Sequence, residues 1–541
     1  MRFSRPLGRA LGVLTFLAGM AGCDTKEEAP VGPPPPSPPE PARSERAARA
    51  RKLLAEAGYP GGRGLPRLEV LYNTDAGHER IAAALQLMWR KELGLDVELR
   101  NSEWKVYLDD LSRLRYQIAR RSWIADYPDP FSFIETFTSR SGNNNTGWAN
   151  PEYDRLVEAA RSERDPGARL GHLRRAEEIL LHEAPVLPLY FYHTQNCWKE
   201  TVRGLYPNIL DIHPLKEVRV EGKDTLVINN AAEVQSLDPG LARGVPEFRV
   251  LIGLFEGLTA YEPGTLRPRP GVAERWEVSP DGRIYIFHLR DCSWSDGRPV
   301  TAHDFVQSWR RVLDPCTPTD YAHQLFYLRG AEEFNAGRNP DPSSVGVRAR
   351  DDRTLEVELR YPCPWFLELC AFFTYYPVRE DVIRRHGNDW TRPENMVVNG
   401  PFLLKERKVR ESLTLERNPR YWDAARVLQP RIRFLAVENR STAWNLYKEG
   451  ACDFVTTLPL DQIEEIRKRA DYRGGPYLGV YFYSFNVTAG PLRDARVRRA
   501  LSLAVDREIL VERILRQGQR PAYHLVPPAW PDYRSPRIDD P

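Results

Sequence analysis

Arg121-Ser122-Trp123-Ile124-Ala125-Asp126-Tyr127 stands near the front of a 541-residue chain, and Arg417-Asn418-Pro419-Arg420-Tyr421-Trp422-Asp423 stands near its back. What surrounds the first stretch sets the fold class. Leu68-Glu69-Val70-Leu71-Tyr72 alternates apolar and polar residues like a strand. Glu79 to Leu93 then carries Ile81, Leu85, Met88 and Trp89 at helical spacing, and after Gly94 the run Leu95-Asp96-Val97-Glu98-Leu99 alternates again. Strand, helix and strand in succession build a mixed or parallel sheet, so the spacing predicts an α/β protein. Ahead of this unit, Arg46 to Ala57 places Ala47, Ala50, Leu54 and Ala57 on one helical face, with Gly58 and Pro60 as the stop.

Farther on, Val218-Arg219-Val220 and Leu226-Val227-Ile228 flank Glu221-Gly222-Lys223-Asp224, which predicts a short connection between neighbouring strands. Tyr285-Ile286-Phe287-His288-Leu289 predicts another strand. Thr301 with Asp304 has the spacing of a capping box for a helix through Phe305, Trp309 and Leu313. A last amphipathic helix should begin near Asp494 and bury Val497, Leu501, Ala504 and Val505.

The first residues address the chain to the cell envelope. Arg2, Arg5 and Arg9 precede an apolar run from Leu11 to Met20, and Met20-Ala21-Gly22-Cys23 places small residues before a cysteine. That is the layout of a secretory signal ending in a lipobox, with Cys23 as the expected lipid carrier; an ordinary signal peptide with a chance cysteine is the alternative. The run is shorter than the roughly 20 apolar residues a spanning helix needs. Gly32 to Pro39 is almost all proline and favours extended polyproline II, a stiff tether between lipid and fold.

The formal net charge of +3 comes from nearly balanced large numbers of both signs, with no long basic run, so nothing points to nucleic acid. Hydrophobic residues at 42% suffice for sizeable cores. Beyond Cys23 the cysteines are Cys197, Cys292, Cys316, Cys363, Cys370 and Cys452; none forms C-x-x-C or a zinc spacing, and outside the cytoplasm either a disulfide or buried free thiols would fit. No metal or cofactor is expected.

From about Asp224 to its end, the chain resembles the N-terminal portion of the extracytoplasmic solute-binding proteins of peptide ABC transporters (family 5), of the oligopeptide-binding type. The resemblance rests on Ser236-Leu237-Asp238-Pro239, Phe255-Glu256-Gly257-Leu258, Gly271 to Trp276, Trp294-Ser295-Asp296-Gly297 with Thr301 to Phe305, Asn399-Gly400-Pro401-Phe402, and Arg417 to Asp423. From about Arg46 to Val220 it is similar to the C-terminal portion of the same family, through Leu53 to Tyr59, Leu71 to Thr74, Glu103-Trp104-Lys105, Trp123 to Tyr127, and Ala184 to Tyr190. The family carries these portions in the opposite order. The resemblance therefore implies an α/β, two-lobed periplasmic-binding-protein-like fold (type II, with an accessory domain), hinged between lobes and circularly permuted. A fusion of fragments from different copies is the alternative.

The implied organisation is a signal peptide with lipobox at 1–23, a tether at 24–45, and the first part of the lobe carrying the peptide-amine site at 46–193. The other lobe would take 194–259 and 391–478 around an accessory domain at 260–390, and 479–541 would complete the amine-site lobe. The resemblance implies a monomeric protein, lipid-anchored outside the cytoplasm, that captures oligopeptides and delivers them to an ABC transporter permease.

By the same resemblance Asp126 would hold the peptide ammonium; as bare sequence it could be a turn aspartate before Pro128. Trp104 and Trp123 would wall pockets, with Tyr321 and Glu247 facing them across the cleft. Arg120 and His78 would meet the carboxylate end. A further family arginine is replaced by Leu111, for which Arg113 is a candidate substitute, and Ser484 stands where some relatives have glutamate. Relatives with other solutes, namely dipeptides, murein peptides, metal chelates, haem or sugars, leave the ligand open, as does a sensor role. Ser102-Glu103-Trp104-Lys105 matches the S-x-x-K pattern of penicillin-binding enzymes, but the companion S-D-N and K-T-G elements are absent, which disfavours an enzyme.

Overall fold

A computed structural model of the protein describes residues 40–163, 165–530 and 532–537. The signal-like segment, Cys23 and the proline run lie outside them. No helix among the described residues is long and apolar enough to cross a membrane.

The front of the chain folds as its periodicity predicts. Strand Leu68–Asn73 leads into helix Ala76–Leu93 and then strand Val97–Ser102, and the two strands pair in parallel. Asp75 caps the helix by accepting from Gly77 N and His78 N, and Gly94 ends it at φ 68°, a left-handed conformation natural to glycine. The second strand starts at Val97 rather than Leu95, because Leu95 closes the helix end. The first helix spans Glu40–Glu56, six residues earlier than the periodicity indicates, with Pro41 in its first turn. The capping box at Thr301 and Asp304 is formed, and helix Ala495–Leu503 starts after Asp494 as its cap.

One expectation fails. Arg219–Val220 and Thr225–Asn229 are strands but not partners of each other. The first pairs with Val202–Arg203, and the second runs parallel to Arg431–Leu435 and Phe454–Val455. Gln429 Oε1 takes the Val220 amide at 2.9 Å and Lys223 Nζ reaches Asp453 at 2.7 Å, so distant residues pull the two strands apart. Alternation marks a strand; it does not choose its neighbour.

The main sheet has eleven strands among the described residues. Its spine is two long antiparallel strands, Val186–Trp198 and Tyr472–Phe485. At one end of this pair, Gly479 to Phe485 add Ile118–Ile124, with Leu68–Asn73 and Val97–Ser102 beyond. At the other end, Cys197 and Trp198 add Phe454–Val455, and the sheet continues through Thr225–Asn229, Arg431–Leu435, Ser412–Arg417 and Phe402–Lys408. The spine thus joins the two flanks of the sheet, and its register is irregular between Pro476 and Val480 and again between Tyr481 and Phe482. A separate four-stranded antiparallel sheet, Ala273–Val278, Ile284–Leu289, Thr354–Glu358 and Val347–Asp351, packs with helix Ala302–Leu313.

Front and rear of the chain share one core. Ala50, Leu54, Leu85 and Trp89 are buried with Tyr481, Leu501, Val505 and Leu510, and Trp89 Nε1 donates to Leu501 O at 2.8 Å. Arg507 is fully buried; it donates to Pro188 O and Ala522 O, both at 2.8 Å, and to Ser502 O at 3.1 Å. Glu177 accepts from the amides of Leu525 and Val526 and from the Tyr533 hydroxyl. All six cysteines beyond Cys23 are free thiols, five of them buried.

Arg507→Ala strips several buried carbonyls of their donor at once, and each such loss costs about 1–3 kcal/mol. Denaturant unfolding should show a loss of at least about 3 kcal/mol. An unchanged midpoint would mean that this arginine does not tie the rear segment to the front.

Candidate functional site

A cavity of about 660 Å³ opens beside strand Ile118–Ile124. All seven ligand-site residues expected from sequence line it: His78, Trp104, Arg120, Trp123, Asp126, Glu247 and Tyr321. They come from several elements, distant in the chain, that the fold brings together.

Strand Ile118–Ile124 supplies Arg120 and Trp123, held opposite Tyr483 and Val480 of the spine. The chain then leaves the sheet. Ala125 N donates to Leu478 O at 2.8 Å and Asp126 N to Ser132 Oγ at 3.0 Å, while the fully buried Tyr127 stacks on Trp365 at 5.1 Å. These anchors hold the Asp126 carboxylate at the cavity wall, where Gln324 Nε2 donates to Oδ2 at 2.6 Å. No cationic side chain among the described residues pairs with it. Burial, and then the neighbouring Glu135 carboxylate, push its pKa well above the usual aspartate range. An anion so placed lacks a cation.

Arg120 is the complement. Only 8% exposed, it donates to Tyr192 OH at 3.1 Å and to Asn73 Oδ1 at 3.5 Å, and its guanidinium lies 4.8 Å over the Tyr481 ring. Its Nε has no partner, and no carboxylate among the described residues pairs with it. His78 Nδ1 lies 3.2 Å from the Tyr481 hydroxyl, so His78 and Arg120 share that tyrosine. Burial, and then Arg120, push the His78 pKa well below the ordinary imidazole value, against the pull of Asp75.

Trp104 opens helix Trp104–Ser112 and stacks on Tyr107 at 5.5 Å; Glu103 caps that helix through Lys105 N and Val106 N. Trp123 Nε1 is buried with no partner. Tyr321 packs against Phe372 and Phe373, at 5.9 and 5.6 Å between ring centres. Glu247 lines the cavity from the first turn of helix Val245–Leu254, but its Oε1 accepts from Gln235 N at 2.8 Å. Burial raises its pKa to about 7 against that bond.

The substitute arginine is a correction. Arg113 is not on the cavity; it is exposed and pairs with Asp109 one turn earlier at 2.7 Å, while the buried Leu111 fills the cavity wall. Ser484 is buried within the spine and does not line the cavity. Sequence reasoning missed Gln324, three positions after Tyr321, which its bond to Asp126 marks out, and Arg121, which lines the cavity. It also missed two ion pairs at the wall, Asp75 with Arg440 at 3.1 Å and Asp211 with Arg249 at 3.0 Å. Among the described residues no cluster of His, Cys, Asp or Glu could hold a metal ion.

Comparison with known proteins follows this geometry. The profile of the bacterial extracellular solute-binding proteins, family 5 (middle), matches residues 18–145 and 267–541. The periplasmic oligopeptide-binding protein OppA of Salmonella typhimurium is 42% identical over 317 residues, 58% of each chain. The solved structure of the murein tripeptide binding protein MppA of Escherichia coli is 38% identical with a TM-score of 0.54, over 56% of this chain and 60% of that one. Haemophilus influenzae OppA in complex with RPPGFSPFR is 32% identical with a TM-score of 0.54, over 60% of this chain and 64% of that one. The chain thus spans less than two thirds of the length of the relatives it matches, 58% for the first of them.

A carboxyl whose folded pKa is raised stabilises the fold below the unfolded value of about 3.9, and that contribution is lost as pH rises through the folded value. At neutral pH the native chain carries that cost, and Asp126→Asn removes it while keeping an oxygen for Gln324. Denaturant unfolding at pH 7 should show the variant more stable by about 1 kcal/mol or more. A less stable variant would mean that Asp126 is not an unpaired buried acid.

Proposed function

We propose that this chain, which belongs to the bacterial extracellular solute-binding proteins of family 5, captures oligopeptides by their charged ends. One observation carries the proposal: the same cavity holds a buried carboxylate without a cation, Asp126, and a buried guanidinium without an anion, Arg120. An extended peptide presents one ammonium, one carboxylate and a ladder of amides between them. It supplies the missing partner of each, and the indole, phenol and imidazole groups around them leave room for varied side chains.

In this function Asp126 takes the ammonium and Gln324 orients the carboxylate that receives it. Arg120, with His78 beside it, takes the terminal carboxylate directly or through water. Trp104, Trp123, Tyr321 and Glu247 bound the side-chain pockets. Binding draws the lobes together about the spine, and removal of water strengthens both end contacts. The loaded protein, anchored through lipid at Cys23, delivers its cargo to an ABC transporter permease. The signal-like layout before Cys23 and the family relationship support that part.

We further propose that the segment order is a circular permutation within the family. The pairing of Tyr472–Phe485 from the rear between Ile118–Ile124 and Val186–Trp198 from the front supports it, as does the shared core of Trp89 and Leu501.

Deleting one partner of an enclosed, hydrogen-bonded ion pair costs about 2–5 kcal/mol. Calorimetry should therefore show Asp126→Ala weakening peptide binding at least about tenfold. N-acetylation of the peptide should cost the native protein a comparable factor and the variant almost nothing. Since burial raises the Asp126 pKa, native affinity should fall as pH drops. Equal affinity of free and acetylated peptides would reject the amine role.

A further inference from the structure

Most ionisable groups on the cavity wall already have a task. Asp75 pairs with Arg440, Asp211 with Arg249 and His213, Asp320 with Arg243, and Glu233 with Arg407. Glu247 holds the Gln235 amide, Glu103 caps a helix, and Glu438 is exposed to solvent. What remains is one anion, Asp126, and two cations, Arg120 and Arg121. A peptide with neutral side chains satisfies Asp126 with its ammonium and one arginine with its carboxylate. One guanidinium is left over.

That guanidinium is Arg121. Its Nη2 donates to Asn143 O at 3.2 Å and its Nη1 to Asn145 Oδ1 at 2.5 Å, both neutral acceptors, and it has no carboxylate partner among the described residues. Asn143 and Asn145 line the same cavity. A second observation points the same way: Asn143 Nδ2 is buried without an acceptor. A carboxylate in this corner would accept from the guanidinium and from the amide together, a charge-assisted arrangement that neutral side chains cannot match.

We infer that Arg121 sets side-chain selectivity, and that this chain favours peptides bearing an acidic side chain that reaches the corner formed by Arg121, Asn143 and Asn145. The inference rests on the peptide-binding function proposed above. Selectivity of this kind is a difference of affinities, so the informative probe changes charge at constant shape.

Calorimetry on the full chain freed of co-purified ligand would compare Ala-Glu-Ala with Ala-Gln-Ala and Ala-Ala-Glu with Ala-Ala-Gln. At one position or both, Glu should bind at least about tenfold tighter than Gln. The ratio should collapse to within about twofold in Arg121→Gln and be partly restored in Arg121→Lys, which keeps the charge but loses the fork. A ratio near one in the native protein, or an advantage that survives in Arg121→Gln, overturns the inference while leaving peptide binding intact. Failure of all four peptides to bind a folded protein would instead reject the peptide-binding function and the inference with it.

Discussion

The antiparallel pairing of Val186–Trp198 with Tyr472–Phe485 is the constraint on which the rest depends. These strands lie almost three hundred positions apart in the chain, yet among the described residues they form the only path by which the sheet continues from Phe454–Val455 to Ile118–Ile124. Ile118–Ile124, with Arg120 and Trp123, hangs on one side of Tyr472–Phe485, and Tyr481 from the same strand holds both Arg120 and His78. Closing so long a loop is entropically costly and slow, so the buried contacts that follow it must be extensive. The fully buried Arg507 and Glu177, each tied to several backbone groups across that separation, supply part of what offsets the cost.

The cavity departs from much of the molecule. Elsewhere many enclosed charges meet a countercharge: Arg311 with Asp238, Lys216 with Asp423, Arg169 with Asp129. At the site, Asp126 and Arg120 do not, although both are at least nine-tenths buried. Leaving a charge unpaired in low dielectric is destabilising, and a fold retains such groups where something else completes them. The raised pKa of Asp126 expresses that strain. Its anchors, Ser132 and Tyr127, keep the carboxylate from turning away to a better-solvated place.

Local elements were legible in the sequence because they answer to short-range rules. The helix Ala76–Leu93 followed from the spacing of Ile81, Leu85 and Trp89, and the cap at Thr301 from Asp304 three residues on. The site residues were legible only by resemblance: Asp126, Arg120 and Trp123 stand in one short motif, and Trp104, His78, Tyr321 and Glu247 in others. Two readings failed for a common reason. Arg113 was offered to the cavity, but Asp109 one turn away claims it, and the two strands around Gly222 were paired with each other although Gln429 and Asp453 direct them elsewhere.

By itself the sequence determined the α/β class, the periodicities that bury each element's apolar face, and the chemical types gathered in the Trp123–Tyr127 motif. These follow from interactions within a few residues, which a linear reading captures. Only the tertiary structure decided which strands are neighbours and which charges neutralise one another, and hence that Arg121 has neutral acceptors alone while Arg440, Arg249 and Arg243 are engaged by carboxylates. Charge pairing acts through space and depends on which surfaces the folded sheet brings face to face. That is why a site made from groups left over after pairing becomes visible only once the chain has folded.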